Sequence, residues 1–500
     1  MSEAISKDAR GILNSTGPQA LRAAVQNLEP IEPPAPAAAR TPNLIKFIDS
    51  DVGNAERFHL LYGANVRHVA ESGQWLLWNG RRWTPDNDGA TIRLFIATMR
   101  TLAAQAIQLD DQNAARAKSA YALKCTNLDK VRSGLEMAKA IRGITVSVND
   151  LDRNPWLVGT PDGLVDLRTG KPTAPDPSQL VTKAIGTAHN ATADCPLWRS
   201  FLATVTGGDT ELADYLQTAV GYTLTGLCRE QCLFFLHGTG SNGKGVFSEI
   251  IKALLGDYGQ TAPESIFTRD KNSSATNDVA RLAGCRLAIA AELDEGSAFA
   301  ESRIKALTGN DTITARFLHK EFFDFQPTHK FWISGNHKPT VRGTDQGIWR
   351  RLRLVPFTVR IADDKKDPAL AEKLLAELPG ILNWAIQGCD NWQRRGLIAP
   401  ACVRQATEDY RREEDVIGQF LDDCTAEQRA ARTPTTAVYQ AYDLWAAREG
   451  IQSKYRLTAR RLIRRIEEHG YTRTKSHGTP VWQSLTLSTD ESGEDGEDTT

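Results

Sequence analysis

The chain has 500 residues, of which 41% are hydrophobic and 24% charged, an ordinary globular composition whose length suggests about three domains. No apolar run reaches the ~18 residues of a membrane span, and the N-terminus lacks a basic patch followed by an apolar stretch. Membrane and secretory classes are therefore argued against, and a cytoplasmic protein is expected. The eight cysteines include no CxxC and no zinc-site spacing, so reduced and mostly buried thiols are expected. Net charge is −1, but the six acids of residues 488–500 face no base there, which leaves the rest at +5 and permits a polyanionic partner.

In chain order, residues 1–42 read as a flexible Pro/Ala-rich lead. Residues 43–195 read as an α+β domain. A helix is expected over 43–63, then a hairpin carrying Trp75, Trp78 and Trp83 beside Arg81 and Arg82, then helix to about residue 141. Short strands joined by Gly turns follow in PWLVGTPDGLVDLRTGKP. The Trp/Arg interleaving fits either a base-stacking surface or a small core. The pair Asp150 and Asp152 mimics a two-carboxylate metal site, but the Asn154-Pro155 turn signal beside it favours a structural role.

Residues 196–230 read as a helical collar and 231–360 as an α/β nucleotide-binding core. Its centre is LFFLHGTGSNGKGVFSEII: an apolar strand over 233–236, Gly238, four residues, Gly243, Lys244 and a helix. This is P-loop spacing. The glycines let backbone N–H groups turn toward phosphate oxygens, the lysine reaches the terminal phosphates, and the helix N-terminus favours an anion. The candidate ATP-binding residues are Gly238, Thr239, Gly240, Ser241, Asn242, Gly243, Lys244, Gly245 and Val246. Gly245 departs from the pattern, because a Ser or Thr hydroxyl normally binds magnesium at that position.

Such a loop needs an acid on a neighbouring strand. A small apolar strand over 287–291 delivers Glu292 at its carboxyl end, followed by Asp294 and Glu295, so Glu292 is expected on the Mg2+ side and Glu295 or Asp294 as base. The strand over 331–334 ends at Gly335 and Asn336, whose amide suits the γ-phosphate or the attacking water. Between these strands, TITARFL and FFDFQP pair as a hairpin with His319 and Lys320 near its tip, suited to a phosphate backbone. Arg350, Arg351 and Arg353 then cluster in WRRLRLVPF and suggest an anion, such as the γ-phosphate of a neighbouring subunit.

Residues 361–425 read as helical, with a pair interrupted at Pro379-Gly380 and a single charged helix over 400–424. Residues 426–487 outline a winged-helix-like domain of helix, helix and hairpin, with Arg460, Arg461, Arg464 and Arg465 on one helix. Those arginines fit either a DNA or protein contact or a solvated face. Residues 488–500 read as an acidic disordered tail.

The order GTGSNGKG, AAELDEG, KALTGNDTITAR with its hairpin, WISGN and WRRLRLVPF, spread over about 125 residues, resembles a superfamily 3 helicase. The subtype is the C-terminal half of phage and plasmid primase-helicases, related to the poxvirus primase-helicase. The resemblance implies an AAA+-like P-loop ATPase core that hydrolyses ATP with Mg2+ and translocates on single-stranded or forked DNA as a hexameric homo-oligomer. It implies Walker A roles for Gly238, Gly243 and Lys244, Walker B roles for Glu292 and Glu295, sensor 1 for Asn336 and a trans finger for Arg350 or Arg351. It places Lys305 and Arg316 in the motif before the hairpin and His319 and Lys320 at the strand-tracking tip. No primase domain is expected in this chain, and a separate primase or initiator is an expected partner. The competing classes are a P-loop phosphotransferase on a small molecule and a DNA-binding ring or initiator that does not hydrolyse, the latter encouraged by Gly245.

Overall fold

The computed structural model describes residues 42–268, 275–290, 293, 296–318, 321–341, 346–453 and 456–488, the side chains of 275 and 276 excepted. The architecture is mixed α/β, in two units. One is built from residues up to 68 with 74–80 and 84–145, the other from 69–73, 81–83 and 146–500.

The first unit holds the helices Asp51–Tyr62, Ala90–Ala106, Gln112–Lys124 and Leu128–Lys139. Polar side chains start two of them: Ser50 accepts from Gly53 N, and Asp111 from Asn113 N and Ala114 N. Their apolar faces bury Phe58, Phe95, Met99 and Val131 in one core. The expected hairpin is present, with Val66 opposite Leu77 in antiparallel register. Its Trp75 sits edge-on to Phe58 at 6.5 Å, so this tryptophan packs on core rather than offering a free stacking face. Trp83, in the second unit, is fully buried and donates its indole N–H to Pro177 O at 2.9 Å.

The second unit begins with an antiparallel sheet of Leu157–Thr160, Gly163–Asp166 and Lys171–Thr173, as the Gly turns suggest. Helices Pro196–Val205 and Thr210–Leu224 follow. Then comes a five-stranded sheet: β1 (Leu233–His237), β2 (Gly259–Thr261), β3 (Leu287–Ala290), β4 (Lys330–Gly335) and β5 (Leu352–Pro356). All neighbours are parallel, in the order β5-β1-β4-β3-β2. The short, continuously apolar strands fit a sheet covered on both faces, and β1, β3 and most of β4 are buried along their length. Helix α1 (Lys244–Leu255) leaves β1 and buries Phe247, Ile250, Ile251 and Leu254.

Three helical expectations differ. The helix expected over 43–63 starts only at Asp51, after the Ser50 cap. The helical pair over 367–396 breaks at Glu377, not at Pro379-Gly380: the helices are Leu370–Ala376 and Leu378–Arg395. Pro379 lies in the first turn of the second helix, where its missing N–H costs no hydrogen bond. Glu377 instead accepts from Leu197 N and Trp198 N, opposite the positive end of helix Pro196–Val205. The single helix over 400–424 is two, Ala401–Glu414 and Val416–Cys424, because Asp415 caps the second by accepting from Gly418 N at 3.0 Å.

At the C-terminal end, helices Val416–Cys424, Thr435–Arg448 and Ala459–Glu468 share a core of Phe420, Tyr442, Trp445, Leu462 and Trp482. The expected hairpin, Arg473–Ser476 with Thr479–Leu487, gains a third strand, Thr425–Pro434, that the charged sequence TAEQRAARTP did not suggest.

Two cations are fully buried in the second unit. Arg286 donates to Leu224 O and Leu157 O at 2.6 and 2.7 Å and covers the Tyr258 ring at 4.5 Å. Lys330, at the start of β4, donates to Thr225 O and to Thr328 O (3.1 Å) and lies 4.9 Å from the Tyr222 ring centroid. Burial pushes the Lys330 amine down to about 7 from 10.5. Above pH 7 the unfolded chain therefore holds the extra proton, and this group makes stability rise with pH. From pH 7 to about 8.5, before thiols titrate, the urea midpoint should climb by the equivalent of up to about 2 kcal/mol. Lys330→Met should flatten that climb, and an unchanged slope in the variant would refute the assignment.

Candidate active site

The site grows from the carboxyl end of β1, where a parallel sheet collects ligands. Gly238 closes the strand. A Cβ there would lie 2.2 Å from Phe357 O and 2.3 Å from Asn242 Nδ2, so no side chain fits. The loop then takes left-handed backbone at Gly240 (φ 96°), Ser241 (φ 50°) and Gly243 (φ 86°), the last beginning α1. Such alternation turns successive N–H groups to one side and makes a cradle for an anion. Asn242, 3% exposed, locks it by donating to Phe357 O at 3.0 Å.

Lys244 is 6% exposed. Its ammonium donates to Gly238 O at 2.6 Å, Asn336 Oδ1 at 3.1 Å and Asn242 Oδ1 at 3.3 Å. Two residues 92 positions apart in sequence, Lys244 and Asn336, thus meet over the loop, because β4 lies next to β1. Thr239 and Gly245 are exposed and Val246 is half-buried. A Cβ on Gly245 would meet nothing within 4 Å, so the missing hydroxyl is not a matter of space.

Other residues around the loop carry little sequence signal. His237, the last of β1, is held below the usual imidazole range by burial and by Lys338 and Lys244, and so stays neutral. Lys366 donates to Ser241 Oγ at 3.0 Å. The segment after Asn336 is clamped by helix Ala401–Glu414: Lys338 pairs with Glu413 at 2.6 Å, Glu414 accepts from Val341 N at 2.8 Å, and the Tyr410 hydroxyl donates to Pro339 O. Burial, above all, raises the Glu414 carboxyl.

Strand β3 lies beside β4 and ends at Ala290; Glu292, Asp294 and Glu295 lie outside the described residues, as do His319 and Lys320. The hairpin beneath that tip is formed, with Ile313–Ala315 antiparallel to Phe323–Phe325. Arg316 is exposed and lies 4.8 Å from the Phe322 ring centroid, while Lys305 sits half-buried in helix Glu301–Thr308. Arg350 is exposed; Arg351 is 8% exposed and turns onto Gly347 O at 2.7 Å. Both precede β5, and Arg351 O accepts from Leu233 N, so they stand at the amino ends of the parallel strands, opposite to the glycine loop. Five strand residues put roughly 15 Å between the two ends.

Asp150 and Asp152 do not converge on a metal. Asp150 accepts from Ser147 N, and Asp152 from Thr182 N and Oγ1. Among the described residues no cluster of three His, Cys, Asp or Glu side chains could hold an ion. The cysteines are free thiols, and burial pushes Cys232, Cys285 and Cys389 up to about 12. The four arginines of helix Ala459–Glu468 are exposed or half-exposed, and Arg464 and Arg465 pair with Glu468 at 3.3 and 3.4 Å.

Residues 55–207 match the family described as D5 N terminal like, and residues 236–351 match a family of unknown function, DUF5906. The chain is 27% identical over 398 residues to "Putative helicase L207/L206" of Acanthamoeba polyphaga mimivirus, covering 71% of this chain and 41% of that protein. It is 28% identical over 271 residues to "Putative helicase 022R" of Frog virus 3, covering 50% and 27%. It is 26% identical over 255 residues to "Putative primase C962R" of African swine fever virus, covering 46% and 26%. The chain thus spans less than half the length of these relatives. The solved C-terminal region of NrS-1 aligns with a TM-score of 0.48 at 10% identity, covering 87% of this chain and all of that one. The family match at residues 55–207 and the viral relatives named as helicases and primase bear out the resemblance to superfamily 3 helicases of the primase-helicase type, related to the poxvirus primase-helicase.

The loop geometry makes a sharp contrast between two glycines. Gly238→Ala should cost about 2 kcal/mol or more, since backbone must move, whereas Gly245→Ser should leave the unfolding free energy from urea titration within about 0.5 kcal/mol of the parent. Equal midpoints for all three proteins would show that the loop is not packed as described.

Proposed function

We propose that the chain is an ATP-driven DNA helicase motor of superfamily 3, serving replication of a phage, plasmid or other mobile element. The observation that carries this reading is the meeting of Lys244 and Asn336 over a left-handed glycine loop at the carboxyl end of a parallel sheet. A cation, a neutral amide and a cradle of N–H groups are what a triphosphate and its attacking water require. The parallel order β5-β1-β4-β3-β2, with the glycine loop on an inner strand, supports a P-loop ATPase core.

In the chain's own terms, Lys244 rests on Gly238 O and Asn336 Oδ1 until phosphate oxygens compete for its ammonium. Asn336 is then freed to orient water. Because Lys338, Pro339 and Val341 are tied to helix Ala401–Glu414, a change at Asn336 has a short path to a rigid element. Glu292 is proposed for the Mg2+ side, with Gly245 leaving the protein one hydroxyl short there. Mg2+ would supply charge neutralisation between the phosphates. Lys305, Arg316, His319 and Lys320 are proposed for single-stranded DNA, Arg350 for the nucleotide of a neighbouring copy in a hexameric ring, and the C-terminal module as winged-helix-like. Arg351, turned inward, is the less apt finger.

The test is hydrolysis with and without single-stranded DNA. ATPase should rise with DNA and vanish in Lys244→Ala, while Asn336→Ala should lower kcat about 100-fold with ATP binding retained. Equal rates with and without DNA, in a chain that stays single, would favour a small-molecule phosphotransferase. Nucleotide-driven assembly without hydrolysis would favour an initiator ring.

A further inference from the structure

Helix Ala459–Glu468 divides its sequence, ARRLIRRIEE, between two faces. Leu462 and Ile466, four residues apart, turn into the core they share with Trp482. Arg460, Arg461 and Arg464 stand exposed on the opposite side, Arg464 with 83% of its side chain in solvent. No hydrogen bond or ion pair engages the side chains of Arg460 and Arg461 among the described residues. Arg464 and Arg465 both lean on one carboxylate, Glu468. Arg473, on the strand that follows, takes Glu467 at 2.8 Å, and Lys475 lies two residues on, exposed on the same side of that strand. Six bases thus share two acids. Arg460 and Arg461 also sit in the first turn, where the helix dipole repels a cation. This face carries uncompensated positive charge that an anion would offset.

The anion closest to hand belongs to the chain itself. Residues 489–500, TDESGEDGEDTT, lie beyond the described residues and hold six acids in three adjacent pairs, no base and no hydrophobic residue. They begin where the last strand is pinned: Leu487 pairs with Thr425, and Ser488 N donates to Cys424 O at 2.9 Å. Arg473 lies opposite Trp482 on that strand, five residues before Leu487, or roughly 17 Å. Twelve residues span up to about 40 Å, enough to reach the arginines and run across them. A segment on the same chain acts at an effective concentration of the order of mM, so acid pairs that are individually weak at an exposed surface add up. We propose that residues 489–500 lie along the arginine face of helix Ala459–Glu468 and mask it, as a built-in competitor for any polyanion that reaches the C-terminal module. The contact needs neither ATP nor DNA and is independent of the helicase reading.

The test uses the full chain. Arg464→Lys keeps the charge and puts an amine in the middle of the face. A water-soluble carbodiimide joins that amine to carboxylates it touches, and peptide mapping by mass spectrometry locates the amides. Glu468, 3.3 Å from Arg464, should couple under every condition, which reports a folded helix and a reactive amine. Amides to Asp490, Glu491, Glu494, Asp495, Glu497 or Asp498 of the same chain are expected at low salt. They should fall at least about tenfold at ~1 M salt, where the Debye length is about 3 Å. Adding Arg460→Gln and Arg461→Gln should lower them at least about threefold, the worth of one exposed ion pair, while Glu468 coupling stays. Arg394→Lys, at an exposed position on helix Leu378–Arg395, measures random encounters and should give few such amides. Glu468 coupling with no amide to residues 490–498 would mean a solvated face and overturn the proposal. Amides that join two chains only would place the segment on a neighbouring copy and overturn it too. So would equal yields from Arg394→Lys, or yields indifferent to Arg460 and Arg461.

Discussion

The glycine loop is the constraint on which the second unit depends. Gly238 has no room for a Cβ between Phe357 O and the Asn242 amide, and that amide is what ties the loop to the end of β5. Three left-handed residues in four positions would be costly in open chain for any side chain but glycine. The sheet holds them: β1 is buried between β4 and β5, and α1 is anchored beneath by Phe247 and Ile250. A rigid scaffold thus keeps N–H groups turned to one side before any ligand arrives, so little reorganisation is needed on binding.

A second theme is that buried cations lean on backbone carbonyls. Arg286 joins the end of helix Thr210–Leu224 to the strand at Leu157, and Lys330 gathers the carbonyls of Thr225 and Thr328. Each links segments far apart in sequence, so each fixes how the end of helix Thr210–Leu224 meets its neighbours. Close helix contact adds to this: a Cβ on Gly221 would lie 2.0 Å from Cys389 N, and one on Gly388 2.0 Å from Gln217 O. Lys244 belongs to the same pattern, with the difference that two of its acceptors are side-chain oxygens, those of Asn336 and Asn242.

Much of this was legible in the sequence because it is local. An apolar run, a Gly-x4-Gly-Lys spacing and a following helix need no long-range knowledge, and β1 and α1 are where that pattern puts them. Asn336 was legible as a strand-end amide; its contact with Lys244 was not, since strand order is set by packing. Pro379 misled because proline marks a break only inside a helix and not in its first turn. Asp415 was overlooked in TEDYRREED, where one cap is hidden among charges. The same run hid Glu413 and Glu414, which clamp the segment after Asn336 instead of standing in solvent. The third strand, Thr425–Pro434, carries no alternation because most of its side chains are exposed.

The glycine loop is expected to be a nucleotide site before it is anything else. The direct measurement is an equilibrium titration of the purified chain with a fluorescent ATP analogue in Mg2+, competed by ADP. One saturable, competed site per 55.0 kDa chain that disappears in Gly243→Val, where even a Cβ would lie 2.4 Å from the Val205 side chain, is the expected result. Saturable binding that persists undiminished in that variant, or no saturable binding in the parent, would contradict it.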